Sequence, residues 1–275
     1  MTTPRRTPGQ YELAVESTEW LTPHLVRVVA SGESLSGFAD NGFTDLYVKL
    51  IFVDPELGLA PPYDVAELRA TLPPDRQPVV RTYTVRWVDR VARRLAIDFV
   101  THGDAGVAAP WAAAALPGDR LVMSGPGGAY VPDPATAWHV LVGDLSALPA
   151  IAASLEGMPG DACGVAYVEI GDTADILDLK CPEQVALHWL VNPDPDDVSF
   201  LARALDSGPW PADAEAAGVV QVFAHGERES VKAIRGVLRE RKVPREAVSI
   251  SGYWARGRTE DVFQSEKREP IGRID

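Results

Sequence analysis

The chain has 275 residues, with 26 Lys and Arg against 39 Asp and Glu, a formal charge of −13 and 46% hydrophobic residues. An acidic surplus of this size excludes a general binder of nucleic acid or of acidic membrane surfaces, because meeting phosphate needs net or patterned positive charge. The same composition belongs to globular proteins with a packed core, and the length suits two modest domains better than one.

At the N-terminus, M-T-T-P-R-R-T-P-G-Q has two arginines with no apolar run behind them, and no later apolar run approaches the ~18 residues of a membrane span, so a cytoplasmic protein without membrane insertion is expected. Strand-like runs follow at 11–15, 25–29, 46–52, 79–88 and 95–100. Several alternate apolar and polar residues, which predicts an antiparallel small barrel or sandwich. Residues 54–78, rich in Pro, Asp and Leu, predict a long excursion with one helical turn.

After Pro132-Asp133-Pro134, short apolar runs at 138–142, 165–170, 186–191, 219–224 and 248–251 alternate with helical segments. That is the pattern of a parallel sheet with crossover helices. Val231, Ile234, Val237 and Leu238 mark one face of a helix over 230–242, and the acidic stretches 192–197 and 206–218 predict surface loops. Cys163 and Cys181 stand in no disulfide or metal spacing and read as buried free thiols; no metal site is predicted. The charge is unevenly spread: residues 1–132 carry a net −3, residues 133–226 a net −13 and residues 227–275 a net +3.

Two segments carry chemistry. In R-T-Y-T-V-R, Arg81 to Arg86, a period of two puts Arg81, Tyr83 and Val85 on one face and Thr82, Thr84 and Arg86 on the other. A guanidinium suits a phosphate, a tyrosine ring a flat heterocycle and a threonine hydroxyl a ring nitrogen, although composition alone favours an exposed strand. D-F-V-T-H-G-D-A-G-V-A-A-P-W-A runs from a strand into an Ala-rich helix with Pro110 near its start, where free amides at Gly106 to Ala109 suit a diphosphate; a plain connecting helix has the same pattern.

These two segments, with P-W-A, L-P-G-D, G-D-L-S-A-L-P-A-I and S-G-Y-W-A-R-G-R-T-E-D in order, resemble the successive motifs of the siderophore-interacting protein family, ferric-siderophore reductases of the ferredoxin-reductase superfamily. The resemblance runs from about Tyr11 to about Arg268. It implies a β-barrel plus α/β architecture: an antiparallel six-stranded FAD-binding barrel over 1–132, then a parallel-sheet nicotinamide-binding domain with a C-terminal helical extension over 133–275.

The resemblance also assigns residues. Arg81 goes to the FAD diphosphate, Tyr83 to the isoalloxazine face and Thr84 to the flavin edge, with Arg86, His102, Gly103, Ala108, Trp111, Ser124 and Gly125 completing the flavin contacts. For the nucleotide it implies Gly143, Asp144, Ser146, Ala147 and Pro149 at a strand-to-helix turn, Glu169 at a ribose hydroxyl, and Glu227, Gly252, Tyr253 and Trp254 at the ligand edge. Lys49, Arg256 and Arg258 would meet an anionic ferric siderophore. Leu145 stands where related sequences carry an acidic residue, and Gly127 where they commonly carry arginine. No side chain is assigned an acid, base or nucleophilic role, since the cofactor carries the chemistry.

The expected activity passes electrons from NADH or NADPH, or from ferredoxin, through FAD to siderophore-bound Fe(III), in a monomer. The alternatives are a flavin or ferredoxin reductase with another acceptor, and a siderophore-binding protein without catalysis.

Overall fold

The computed structural model describes residues 9–101 and 106–274. The chain divides into two compact units, one comprising the chain up to Trp20 with Val26–Asn41 and Leu46–Gly128, the other Leu21–Leu25, Gly42–Asp45 and Ala129 onward.

In the first unit, β1 (Gln10–Thr22), β2 (Leu25–Ser31), β3 (Tyr47–Phe52), β4 (Val79–Asp89), β5 (Arg94–Val100) and β6 (Arg120–Gly127) form a closed barrel in the order β1-β2-β5-β4-β3-β6. Closure comes from β1 pairing antiparallel with β6, with Gln10 opposite Ser124 and Leu13 opposite Leu121, which removes the sheet edges. Alternate residues point inward, so Leu13, Val26, Val28, Val48, Leu50, Ile97, Phe99 and Met123 fill the core. Each such side chain contributes about 1.5–3 kcal/mol on burial.

The strand β6 is absent from the expected runs because M-S-G-P-G ends in residues that weaken a strand; its two neighbours supply the pairing that its own pattern does not announce. The 54–78 excursion holds more than one helical turn: α1 (Val65–Thr71) is capped by the Asp64 side chain, which accepts from the Glu67 amide, and 3-10 turns stand at Pro55–Leu57 and Pro74–Arg76. An Arg76–Asp54 ion pair at 2.7 Å ties its two ends. The helix α2 (Ala108–Ala114) follows β5, with Pro110 as its third residue.

The second unit carries β7 (Trp138–Asp144), α3 (Leu148–Gly157), β8 (Cys163–Ile170), β9 (Gln184–Val191), α4 (Phe200–Ser207), β10 (Val220–Glu227), α5 (Arg228–Glu240), β11 (Val248–Trp254) and α6 (Glu260–Glu266). Its five strands are parallel in the order β11-β10-β7-β8-β9. Strands covered on both faces read as near-continuous apolar runs, which is why V-L-V in β7 and V-A-Y-V in β8 are visible in sequence. The β8–β9 crossover carries only a 3-10 turn, Thr173–Asp175, and the stretch expected as a loop from Asp206 begins inside α4. Cys163 and Cys181 are free thiols, half-buried and not fully buried as expected. The order of the strands reverses between β7 and β10, and a sheet of this kind binds ligands in the crevice beyond the carboxyl ends at that point.

Candidate functional site

On the barrel, register decides which predicted residues meet. Thr84 of β4 stands opposite Tyr47 of β3, and Thr82 opposite Lys49. On the other side of β3, Tyr47 stands opposite Gly127 and Lys49 opposite Ser124 of β6. Opposed residues of an antiparallel ladder share a face about 5 Å apart. Thr84, Tyr47 and Gly127 therefore make one row, and Thr82, Lys49 and Ser124 the next. The face points outward: Tyr47, Lys49 and Thr82 are exposed, while Val48 and Leu50 between them lie in the core.

Thr84 is 7% exposed, yet its hydroxyl has no hydrogen-bond partner among the described residues, and the Lys49 ammonium has no ion-pair partner there. The hydroxyl is not among the fully buried unpartnered polar atoms, so it reaches solvent and is open to a group from outside the chain. The Tyr47 ring covers Gly127 closely enough that a β-carbon there would lie 2.2 Å from Cζ of Tyr47. The side-chain space at the position of the family's expected arginine is thus filled by tyrosine. Gly125 has φ +140° and packs on the Tyr47 carbonyl, so glycine is required in that turn.

Arg81 and Tyr83 occupy the alternate row, opposite Leu50 and Val48. Arg81 is half-buried and its Nη1 donates to the Val80 carbonyl at 2.9 Å. The Tyr83 ring lies 4.4 Å from Phe99, Phe99 lies 5.9 Å from Trp111, and Trp111 lies 5.6 Å from Phe52. This chain of rings, with buried Ala108, docks α2 on the barrel. Arg86 is half-buried where the β4–β5 register shifts. His102 and Gly103 lie outside the described residues. Arg81 and Tyr83 on one face of β4 and Thr84 on the other are the kinds of side chain that an FAD diphosphate, ring face and ring edge need, so the residue types present suit that cofactor.

At the carboxyl edge of the parallel sheet, several predicted contacts hold the protein together. Asp144 accepts through Oδ1 from the Ser146 amide at 2.9 Å and the Ser146 hydroxyl at 2.5 Å, and through Oδ2 from the Glu227 amide at 2.9 Å and the Trp254 indole at 2.8 Å. A β-carbon on Gly226 would stand 2.8 Å from that Oδ2. Gly143 packs on Ala147 and the His225 carbonyl, so its missing side chain serves internal packing. The Ala147 amide bonds the Asp144 carbonyl, the Ala150 and Ile151 amides bond the Ala147 carbonyl, and Pro149 has no N–H. The α3 start thus offers the Leu148 amide and not a full turn of donors, although it has no acidic residue and no side-chain cap to repel an anion.

Glu227 caps α5: Oε2 accepts from the Glu229 and Ser230 amides at 2.6 and 3.0 Å, and Oε1 from the Arg256 amide at 3.1 Å. Glu169 accepts from Asn192 Nδ2 at 2.8 Å. Its burial holds the carboxyl above the usual range, reinforced by the Asp144 and Asp197 charges and opposed by the Asn192 hydrogen bond and Arg256. The Arg256 guanidinium stands 3.4 Å from Asp196 and 5.7 Å over the Trp254 ring. Arg258 is spent on Glu266 at 2.7 Å. Gly252 packs beside Arg228 and Phe263, and Tyr253 lies 4.9 Å from His225. Tyr47 and Asn192 escaped the sequence prediction. For Tyr47 the signal was available, two positions before Lys49 on the same strand face; for Asn192 it was a lone amide at a strand end.

With this geometry in view, two family descriptions match the chain: "Siderophore-interacting FAD-binding domain" over residues 14–130 and "Siderophore-interacting protein" over residues 136–257. The chain is 37% identical over 254 residues to the ferric vibriobactin reductase ViuB of Vibrio cholerae, covering 90% of each. The chain belongs to the siderophore-interacting protein family. It is also 31% identical to the NADPH-dependent ferric-chelate reductase of Escherichia coli, over 88% of this chain and 92% of that one. The siderophore-interacting protein SipS of Aeromonas hydrophila superposes with a TM-score of 0.78 at 31% identity, covering 95% of this chain and 98% of SipS. The ferredoxin reductase of carbazole 1,9a-dioxygenase, at 18% identity and a TM-score of 0.65, shares the fold, covering 91% of this chain and 71% of that one. The family's FAD-binding domain makes the chain an FAD-dependent oxidoreductase. Among the described residues no helix is long and apolar enough to cross a membrane.

Proposed function

We propose that the chain is a ferric-siderophore reductase that takes electrons from a reduced nicotinamide dinucleotide in the cytoplasm, with residues 1–132 holding FAD and residues 133–275 the dinucleotide. The observation that carries this reading is the outward face of β3, β4 and β6, where the Thr84 hydroxyl and the Lys49 ammonium occupy successive rows without protein partners among the described residues. The names of the Vibrio cholerae and Escherichia coli relatives support it.

FAD, once bound, supplies the conversion of a two-electron donation into single-electron deliveries. The chain's residues place and neutralise. Arg81 offers its guanidinium to the diphosphate, Tyr83 a ring face and Thr84 a hydroxyl to the ring edge. Lys49, exposed on the adjacent strand, attracts an anionic iron chelate. Overall one reduced dinucleotide is oxidised, one proton is released, and two ferric ions are reduced to ferrous ions that their chelators hold weakly. A dinucleotide is favoured over ferredoxin because residues 133–226 carry a net −13 and would repel an acidic protein donor.

The test compares FAD-loaded wild type with Lys49→Ala under anaerobic conditions, with NADPH, NADH, a ferric siderophore and a ferrous-ion chelator present. Ferrous ion should form faster than with free reduced FAD, and Lys49→Ala should slow it several-fold at low salt without loss of flavin. Equal rates with protein and with free reduced FAD would overturn the reading.

A further inference from the structure

We infer that, of the two nicotinamide dinucleotides, this chain accepts NADH and rejects NADPH, with Glu169 as the specificity-determining residue and Asn192 as the residue that positions it; the inference rests on the dinucleotide-donor reading above. In a sheet of this order the dinucleotide crosses the switch point, here between β7 and β10, and an acidic side chain at the end of the strand beside the first one meets the adenosine ribose. That strand is β8, and Glu169 is its penultimate residue, level with Asp144 on β7.

One oxygen of Glu169 is held and the other is free. Oε1 accepts from Asn192 Nδ2 at 2.8 Å, while Oε2 has no partner among the described residues. Asn192 is itself fixed: it is 5% exposed, its amide bonds the Ile170 carbonyl at 2.9 Å, and its Oδ1 accepts from the Asp194 amide at 3.0 Å. A carboxylate oriented in this way accepts from both ribose hydroxyls of NADH. NADPH replaces the 2′-hydroxyl with a phosphate that adds about −1.5 to −2 charge at neutral pH. That phosphate would enter beside Glu169, whose charged surroundings are Asp144, Arg256 and Asp197, two carboxylates against one guanidinium, so like-charge repulsion prevails.

Among the described residues, the basic side chains near Glu169 are engaged with acidic partners, Arg256 the most loosely. Residues 133–226 contain only two basic side chains, Lys180 and Arg203. Arg203 Nη2 is bonded to Asp197 Oδ2 at 2.5 Å. Lys180 stands four residues before β9 begins, at the other end of the sheet from Glu169. Arg228 and Arg258 are both spent on Glu266. Arg256 is the rival, because its 3.4 Å pairing is to an Asp196 side chain that is 81% exposed and can release it.

The experiment is calorimetric titration of the FAD-loaded full chain with NAD+ and with NADP+ at pH 8. NAD+ is expected to bind at least about tenfold tighter, the effect of one unfavourable charge contact. Glu169→Gln keeps an acceptor for Asn192 and removes the charge. It should weaken NAD+ binding, strengthen NADP+ binding and collapse the preference, while Arg256→Gln should leave the preference in place. NADP+ binding as tight as NAD+ in the wild type would overturn the inference, as would an unchanged preference in Glu169→Gln with normal flavin content. Loss of NADP+ binding in Arg256→Gln would instead assign the phosphate to that arginine. If neither dinucleotide binds, the donor reading falls with the inference; if NADP+ wins, only the inference falls.

Discussion

At Gly127 a β-carbon would stand 2.2 Å from Tyr47 Cζ, and at Gly164 one would stand 2.1 Å from the His139 carbonyl oxygen. What can yield differs between the two. Tyr47 is 38% exposed and its ring can turn into solvent, whereas the His139 backbone is locked in the β7–β8 ladder. Gly127→Arg should therefore fold with Tyr47 displaced, while Gly164→Ala should lose about 1–3 kcal/mol, the usual cost of overpacking a site that cannot relax. Urea unfolding of both variants checks this; a Gly164→Ala midpoint equal to wild type would contradict the packing argument. Thr84→Val removes the unspent hydroxyl with little change of shape. It should leave stability alone and weaken FAD binding about tenfold, the worth of one hydrogen bond, as read by fluorescence titration. At this scale the sequence exposes residue type and alternation, so Arg81, Tyr83, Thr84 and Lys49 are visible in it. It does not tell a strand-end carboxylate that meets a ligand from one that caps a helix. Glu227 is of the second kind, spent on the amides that open α5, and Asp144 is spent on Ser146, Trp254 and the Glu227 amide.

Among elements, α6 is stapled to α5 by Glu266, which accepts from Arg228 Nη1 at 2.5 Å and Arg258 Nε at 2.7 Å. Those guanidinium hydrogen bonds hold its carboxyl below the ordinary 4.5. The folded-state value is the lower one, so the staple is complete above about pH 4.5 and is lost as pH falls beneath it. Glu266→Gln should remove that acid-limb loss and lower the thermal midpoint at pH 7. On β10, His225 is stacked on Phe223 at 4.1 Å and bonded to Ser249. Burial, aided by the Lys267 charge, pushes it down to about 3 from an ordinary 6.5. The unfolded chain takes up the proton first, so this residue contributes a loss of stability as pH falls from 6.5 toward 3 and none above. His225→Gln should flatten the change in urea midpoint between pH 7.5 and 5; an unaltered slope would place the titration elsewhere. Of the five parallel strands, β7, β8 and β10 are legible because they are buried along most of their length and carry apolar runs, while β9 and β11 are more exposed and show only short apolar stretches. The strand β6 is not, because its pairing partners and not its own residues make it a strand, and α4 merges in sequence with the acidic loop that follows it.

Over the whole molecule, the charge of −13 divides by function in the proposed account. The flavin-side residues 1–132 are close to neutral at −3, and the excess lies in residues 133–226. In that account Lys49 attracts an anionic chelate by charge, so raising salt should reduce the rate advantage of wild type over Lys49→Ala toward unity. The architecture is legible at this scale because alternating strands give way to strand–helix alternation near residue 133; the donor is not, since Glu169 acquires meaning only with Asn192 and the paired arginines around it. The most direct test of the central claim is an anaerobic count of ferrous ions trapped by a chelator when FAD-loaded protein is given a limiting amount of NADH and excess ferric siderophore. The account predicts two ferrous ions per NADH consumed, formed faster than with free reduced FAD. Oxidation of NADH without ferrous ion, or ferrous ion at no more than the free-flavin rate, would contradict it.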